Sequence, residues 1–288
     1  MMTTNSKHRV VIIGGGSMIA SRIKNKLNCH IITTSSKNIS ADYLLDLRDF
    51  QEKDVNFIKQ NDIVIIAAGI SSPDKCEHEY ENAKSINLIG TTRLIKYCLD
   101  ISAKVIFLSS DSVYGNTTYD KPALETMPLM PIGNYAEMKA EIEESFQNRE
   151  GFIALRLSYV LSRSDKFTQY LCSCSLSKKN AEIFHPLYRN VVWIEDLVSL
   201  CSSFLDEWPL TNSINVGGPD LTSRLDIANT IKAVSNLEFN CTVIEPQEIF
   251  YKARPKEIKL NIDIFTKYLG RIPYNIKVAY EKEFELQL

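Results

Sequence analysis

Tyr135 and Lys139 stand four residues apart in Asn134-Tyr-Ala-Glu-Met-Lys-Ala-Glu-Ile-Glu-Glu144. Ala, Glu, Met and Lys are strong helix formers and Gly133-Asn134 offers a start, so the stretch reads as a helix. Residues four apart share a helical face, which sets a phenol beside an ammonium. An adjacent ammonium favours the phenolate, lowers the tyrosine pKa and makes the phenol a usable proton donor or acceptor. Alone, the pair is equally the mark of a solvated lysine beside a half-buried tyrosine. Its meaning depends on what else converges there. One candidate is Ser109-Ser110-Asp111-Ser112-Val-Tyr-Gly115, which follows the apolar run Lys104-Val-Ile-Phe-Leu. Ligands of open α/β sheets sit beyond the C-terminal ends of the strands, so hydroxyls and a carboxylate there are well placed.

The elements that would carry these groups begin with Arg9-Val-Val-Ile-Ile13, a β-branched run ending at Gly14-Gly15-Gly16-Ser17. A helical stretch, Met18-Ile19 to Leu27, comes next. Strand, glycine turn and helix in this order suit a dinucleotide: glycines allow close backbone approach and the helix start offers free N–H groups to a pyrophosphate. Against a G-x-x-G-x-x-G spacing the positions are Gly14, Ser17 and Ala20, so the loop also reads as a plain turn with a serine cap. After the second strand, Cys29-His-Ile-Ile-Thr33, comes Thr34-Ser35-Ser36-Lys37, with hydroxyls and a cation but no acid. An acid there would bind the ribose hydroxyls of NAD; its absence and Lys37 favour the 2′-phosphate of NADP over a merely polar loop, with NAD the alternative. Asp62 to Gly69 forms a third strand whose small residues Ala67, Ala68 and Gly69 leave room for a cofactor. A helix over 79–101 contains Asn87, and Phe152 to Leu157 is a fifth strand. Alternating strands and helices predict a doubly wound, Rossmann-like parallel sheet. From Ser158 to Arg189 the pattern is polar and irregular, and residues 219–288 add two helical stretches, 224–234 and 262–269. The expected division is a dinucleotide-binding domain, 1–157 with 190–217, and a smaller, irregular substrate lobe, 158–189 with 218–288.

At 288 residues and net charge −2, the chain has ample core and no basic footprint for nucleic acid. Its most apolar runs are strand length, so no membrane span is expected, and the N-terminal residues lack a leader's apolar core, which makes cytoplasm the expectation. Seven cysteines without CxxC spacing and four scattered histidines suggest neither a disulfide framework nor a metal site.

Together these motifs resemble the extended short-chain dehydrogenase/reductase family, the sugar-nucleotide epimerases, dehydratases and reductases. The likeness runs from Gly14–Ala20 through Asp46-Leu47, Ala67–Gly69, Asn87-Leu-Ile-Gly90, Ser109–Gly115, Tyr135-x-x-x-Lys139, Leu155-Arg-Leu157, Val192–Asp196 and Asn215-Val-Gly217 to Arg254-Pro255. It implies Ser110, Tyr135 and Lys139 as the catalytic set, Ser110 bonding the substrate oxygen, Tyr135 exchanging its proton and Lys139 holding the nicotinamide ribose. It also implies a pyrophosphate cradle at Gly14, Ser17 and Met18, adenine contacts at Asp46 and Leu47, and pairing of two copies through the helices of Asn87 and Tyr135. The family's dehydratases carry a glutamate where this chain has Ser112, so dehydration is not expected. Asp111 and the short C-terminal lobe look more like the dTDP-4-dehydrorhamnose reductase branch, which reduces a 4-keto-6-deoxy sugar nucleotide with NADPH. Asp111, Ser112 and Arg254, with Arg163 or Lys166, are the expected contacts to the nucleotide sugar. An epimerase retaining NAD and a non-catalytic cofactor-binding regulator are the alternatives.

Overall fold

The computed structural model describes residues 8–37, 39–118 and 120–285. The N-terminal residues 1–7, on which the leader expectation partly rests, lie outside the described residues. In chain order the first half comprises β1 (Arg9–Ile13), α1 (Met18–Lys26), β2 (His30–Ser35), β3 (Tyr43–Leu44), β4 (Ile63–Ile66), α2 (Pro73–His78) and α3 (Tyr80–Lys84). A π-helical turn, Ser85–Gly90, leads into α4 (Thr91–Asp100), β5 (Lys104–Ser110), α5 (Asn134–Phe146) and β6 (Phe152–Leu157). Then come β7 (Val160–Leu161), α6 (Lys166–Ser177), β8 (Ala181–Phe184), β9 (Tyr188–Asn190), β10 (Val192–Trp193) and α7 (Ile194–Asp206). The chain continues with β11 (Ser213–Val216), β12 (Leu221–Ser223), α8 (Arg224–Val234), β13 (Cys241–Ile244), α9 (Asp263–Leu269) and α10 (Ile276–Glu285).

Seven strands form one parallel sheet in the order β11-β6-β5-β4-β1-β2-β3. This is the doubly wound Rossmann-like order, with its topological switch between β1 and β4. The strand period of two divides the core. Val11, Val64 and Phe107 face Leu94, Ile95, Met138 and Ile142 of α4 and α5. Val10, Ile12, Ile65 and Ile106 face Ile23, Leu197, Phe204 and Phe265 of α1, α7 and α9. All seven cysteines are free thiols. Among the described residues, no helix is long and apolar enough to cross a membrane.

The polar stretch expected to be irregular contains α6. Its signal is Asp165, whose carboxylate accepts from the N–H groups of Phe167 and Thr168 as an N-cap. A separate core gathers Leu161, Leu171, Ile183, Ile227 and Tyr280 from the segments flanking 190–217, together with Trp193 from within it. Helix α9, although it falls within 218–288, buries Phe265 against the main sheet instead. The helix expected over 79–101 is interrupted by the π turn, which turns Asn87 onto Ile70 and lets Gly90 lie against Leu47. A Cβ on Gly90 would sit 2.0 Å from the Leu47 carbonyl oxygen. Gly90→Ala is therefore expected to destabilise the fold by about 1–3 kcal/mol, read as a lowered denaturation midpoint; an unchanged midpoint would mean that this approach is soft.

Candidate active site

The C-terminal end of β5 and one face of α5 make the site. Helix α5 starts at Asn134, whose N–H and side-chain amide both donate to the Glu77 carboxylate at 2.7 Å. Gly133 precedes it at φ 83°, and a Cβ there would meet the Ala253 backbone at 2.8 Å. With its first residue fixed, α5 presents Tyr135, Lys139 and Glu143 on one face, one turn apart. The Lys139 ammonium donates to the Leu108 carbonyl at 2.8 Å and lies 4.3 Å from the centre of the Phe107 ring. Ser109 donates to Glu143, which also accepts from Arg156 of β6 at 2.7 Å.

Ser110 closes β5. Its Oγ accepts from the Ser112 N–H at 3.2 Å and from the Ser112 hydroxyl at 2.9 Å. Its own proton is left for Asp111, whose Oδ1 is at 3.4 Å, or for Tyr135, which it also reaches. The pKa expectation for Tyr135 is corrected here. Burial first, then Asp111 and Cys76, raise it well above the ordinary phenol value, and only Ser110 opposes them. Lys139 lies 5.9 Å from the centre of the Tyr135 ring with its ammonium turned to Leu108, so it does not pull the phenol towards ionisation. Tyr135 is held as a neutral proton donor. Burial also pushes Lys139 down from 10.5 to about 8, with Glu143 and then Cys76 opposing.

Asp111 is buried, and burial raises its pKa against the pull of Arg189. Its Oδ2 has no hydrogen-bond partner, and the Arg189 Nε stands 3.7 Å away. Burial first, then neighbouring guanidiniums, lower Arg189 and Arg224: Arg224 and Arg254 act on Arg189, and Arg254 on Arg224. Arg254 stacks on Phe250 and pairs with Asp74 at 2.7 Å. Arg189 and Arg224 escaped the sequence reading because Tyr188-Arg-Asn190 and Ser223-Arg224 carry no spacing of their own; only the packing of the lobe brings Arg189 to Asp111 and Arg224 near Arg189. Arg163 is elsewhere. Its guanidinium lies over Phe284, in a groove whose lining includes neither Ser110 nor Tyr135. A larger cavity of about 520 Å³ opens behind α5 at Glu143 and Arg156, and it too excludes Ser110 and Tyr135. Converging polar groups, rather than volume, mark the site.

On the cofactor side, Gly14 has φ 86°, and a Cβ there would lie 2.6 Å from the Ala68 Cα, so the turns after β1 and β4 touch at the switch point. Ala67 donates to the Ile13 carbonyl at 2.9 Å. Gly15 donates to the Thr34 carbonyl and Gly14 to its Oγ1, so Thr34 braces the glycine turn. Gly16 faces open space. Ser17 caps α1 by accepting from the Ala20 N–H at 3.1 Å, and the first turn, including Met18 and Ile19, contains no acid. First-turn N–H groups have no partner within the helix, and this acid-free start fits a pyrophosphate. Asn87 donates to and accepts from the Ile70 backbone, clamping the loop after Gly69. Ser35 accepts from the Lys37 N–H, and Asp46 pairs with Arg48 at 2.5 Å, with Lys37 also acting on it. One acid does reach β2: Asp42 accepts from the Thr33 N–H and hydroxyl at 2.7 and 2.8 Å. Spacing hid it because it returns from the β2–β3 loop.

The lowered value of Lys139 has a consequence for stability. Below pH 8 the group is charged whether folded or unfolded, and the folded state bears the desolvation. Between about 8 and 10.5 the folded protein releases this proton while the unfolded chain keeps it, so the penalty fades as pH rises. Lys139→Met is expected to be more stable than wild type at pH 7, by up to about 3 kcal/mol. The gap should close by pH 10.5 in paired urea melts; a variant less stable at pH 7 would refute the penalty.

Comparison with known proteins bears on the fold and the family. The model of the RmlD substrate binding domain matches residues 8–278. The dTDP-4-dehydrorhamnose reductase of Mycolicibacterium smegmatis is 29% identical over 141 residues, 48% of this chain and 41% of that protein. Methionine adenosyltransferase 2 subunit beta of Rattus norvegicus is 24% identical over 76% of this chain and 69% of its own. The matches to the reductase and to the Xenopus subunits thus span less than half of those relatives' length. Among solved structures, the Bacillus anthracis dTDP-4-dehydrorhamnose reductase in complex with NADP superposes at a TM-score of 0.85, with 19% identity over 98% of this chain and 100% of its own. The Thermus thermophilus UDP-glucose 4-epimerase complex with NAD gives 0.82, with 18% identity over 97% and 100%. Low identity makes these two a likeness of fold; the matched model, covering nearly the whole chain, shows that the protein belongs to the RmlD substrate-binding domain family.

Proposed function

We propose that this protein is an NADP-dependent reductase of a nucleotide-linked 4-keto-6-deoxy sugar. The observation that carries the reading is a neutral Tyr135 phenol beside the Ser110 hydroxyl at a strand end, with guanidiniums across from them. A carbonyl oxygen set between Ser110 and Tyr135 can accept from both. The nicotinamide, when bound, supplies the hydride to the carbonyl carbon. As the oxygen gains charge, Tyr135 gives it the phenolic proton, and the Ser110 hydroxyl remains in reach of the phenolate left behind. Ser112 cannot remove a proton as a carboxylate would, which disfavours dehydration. Arg189, Arg224 and Arg254 are the groups we assign to the nucleotide's diphosphate; crowded guanidiniums gain most from a multivalent anion.

For the cofactor, Lys37 is the residue we assign to a 2′-phosphate, and Asp42 is what favours NAD instead. Titration with each dinucleotide separates them: Lys37→Ala is expected to weaken NADPH binding about tenfold without affecting NADH. Tighter binding of NADH by the wild type would transfer the ribose to Asp42. The reaction is tested by NADPH oxidation with a panel of 4-keto-6-deoxy sugar nucleotides. Tyr135→Phe should keep NADPH affinity and lower kcat by about 10²–10⁴-fold, whereas Arg189→Met should chiefly raise KM. Turnover at the wild-type rate by Tyr135→Phe would overturn the assignment, and NAD retained through purification would favour epimerisation. The relatives named as methionine adenosyltransferase 2 subunit beta support a second reading, a cofactor-binding subunit without turnover. Tight NADPH binding with no oxidation by any of the panel would select it.

A further inference from the structure

One buried carboxylate has no part in the proton transfer described so far. Glu143 is 3% exposed, one turn beyond Lys139 on the same helix, and stands at the core side of the site. Its two oxygens both act as acceptors, Oε1 from the Ser109 hydroxyl and Oε2 from the Arg156 Nε at 2.7 Å. Burial raises the Glu143 pKa, and Arg156, Ser109 and Lys139 oppose it; two accepting oxygens and a guanidinium partner are the bonding pattern of an ionised carboxylate. We propose that Glu143 is a positioning residue for the Tyr135–Lys139 pair, holding the Lys139 ammonium charged and docked on β5 one helical turn from the phenol. This rests on the Ser110–Tyr135–Lys139 reading above.

The geometry leaves little else to do it. From β5, Lys139 meets the neutral Phe107 ring and the Leu108 carbonyl. From α2 it faces Cys76, whose thiol burial pushes up to about 11, so that it is uncharged near neutral pH. From its own helix it faces Tyr135, held neutral, and Glu143. Asp111 acts on Tyr135, and Arg156 of β6 reaches Lys139 only through Glu143. Glu143 is thus the leading group favouring the charged form of Lys139, against burial that favours the amine. Ser109 adds a mechanical tie. It fixes Glu143 to the strand residue between Leu108, which receives the ammonium, and Ser110, which faces the phenol. Three successive turns of α5 are pinned to the last three residues of β5.

The test reads Lys139 directly and needs no substrate. Protein carrying ¹³C-labelled lysine is titrated by NMR, the Lys139 ε-carbon being assigned by its loss in Lys139→Met. In wild type the midpoint is expected near 8. Glu143→Gln keeps the shape of the side chain and removes the charge; the midpoint should fall by about one pH unit or more. The double variant Glu143→Gln/Arg156→Met also removes the guanidinium that would otherwise be left unpaired, so it covers the case where the single variant does not fold, and should show the same fall. Glu143→Asp, which retains the charge, should keep the midpoint closer to wild type. A midpoint unmoved in the folded glutamine variants overturns the proposal. Because the readout is a titration of the free protein, failure of the reductase assays would leave this result standing, and the two failures stay distinct.

Discussion

Everything at the site depends on the docking of α5 onto the end of β5. Lys139 is pulled into the core by the Leu108 carbonyl, Glu143 by Ser109 and Arg156, and both charged groups lose water to get there. For Lys139 that burial is a net penalty at neutral pH, whereas Glu143 is paired with Arg156, and removing one member of such a buried ion pair costs about 3–5 kcal/mol. The helix therefore has one way to sit. Met138, Ile142 and Phe146 supply the apolar part of the same contact. Once it is made, the partly buried Tyr135 stands within reach of Ser110, and loss of water around it keeps the phenol protonated.

The sheet provides the platform on which a second ligand can meet that phenol. At the switch between β1 and β4 the two turns meet and the backbone is bare: Gly14 lies against Ala68, and Gly69 against Asn87. Any larger side chain there would fill the crevice. The clamp of Asn87 on Ile70, made possible by the π turn, fixes the far wall without occupying the space. Rigid β-branched strands behind these turns carry no chemistry themselves but hold two chemical edges at a constant separation.

The smaller lobe answers a different need. Its core is ordinary, but its rim collects Arg189, Arg224 and Arg254, like charges that no folded protein brings together without some benefit. Asp111 softens the crowding on one side and Asp74 on the other. Guanidiniums so placed favour an anion with several oxygens, the role proposed for them above. The lobe is also tied to the catalytic helix, through Ala253 against Gly133.

The local pattern determined a good deal. Apolar β-branched runs, a glycine turn between strand and helix, and helix formers around Tyr135 and Lys139 depend on near neighbours only, and they sufficed for the parallel sheet; Ser110, Tyr135 and Lys139 as a set came from the family resemblance. Asp165 as a helix cap was equally local, yet the polar composition around it obscured α6. What only the tertiary structure decided is the state of those groups. A spacing of four placed the ammonium beside the phenol but could not say where the ammonium points; the Leu108 carbonyl, thirty-one positions away, turns it aside. Whether Tyr135 is acidic or neutral, whether Asp42 reaches β2 and whether Arg189 meets Asp111 are matters of burial and of long-range approach. Tyr135 and Lys139 were therefore readable as a pair from the residues alone, and as a neutral acid beside a buried, carboxylate-held ammonium only once the chain had folded around them, because desolvation belongs to the fold and not to the residue.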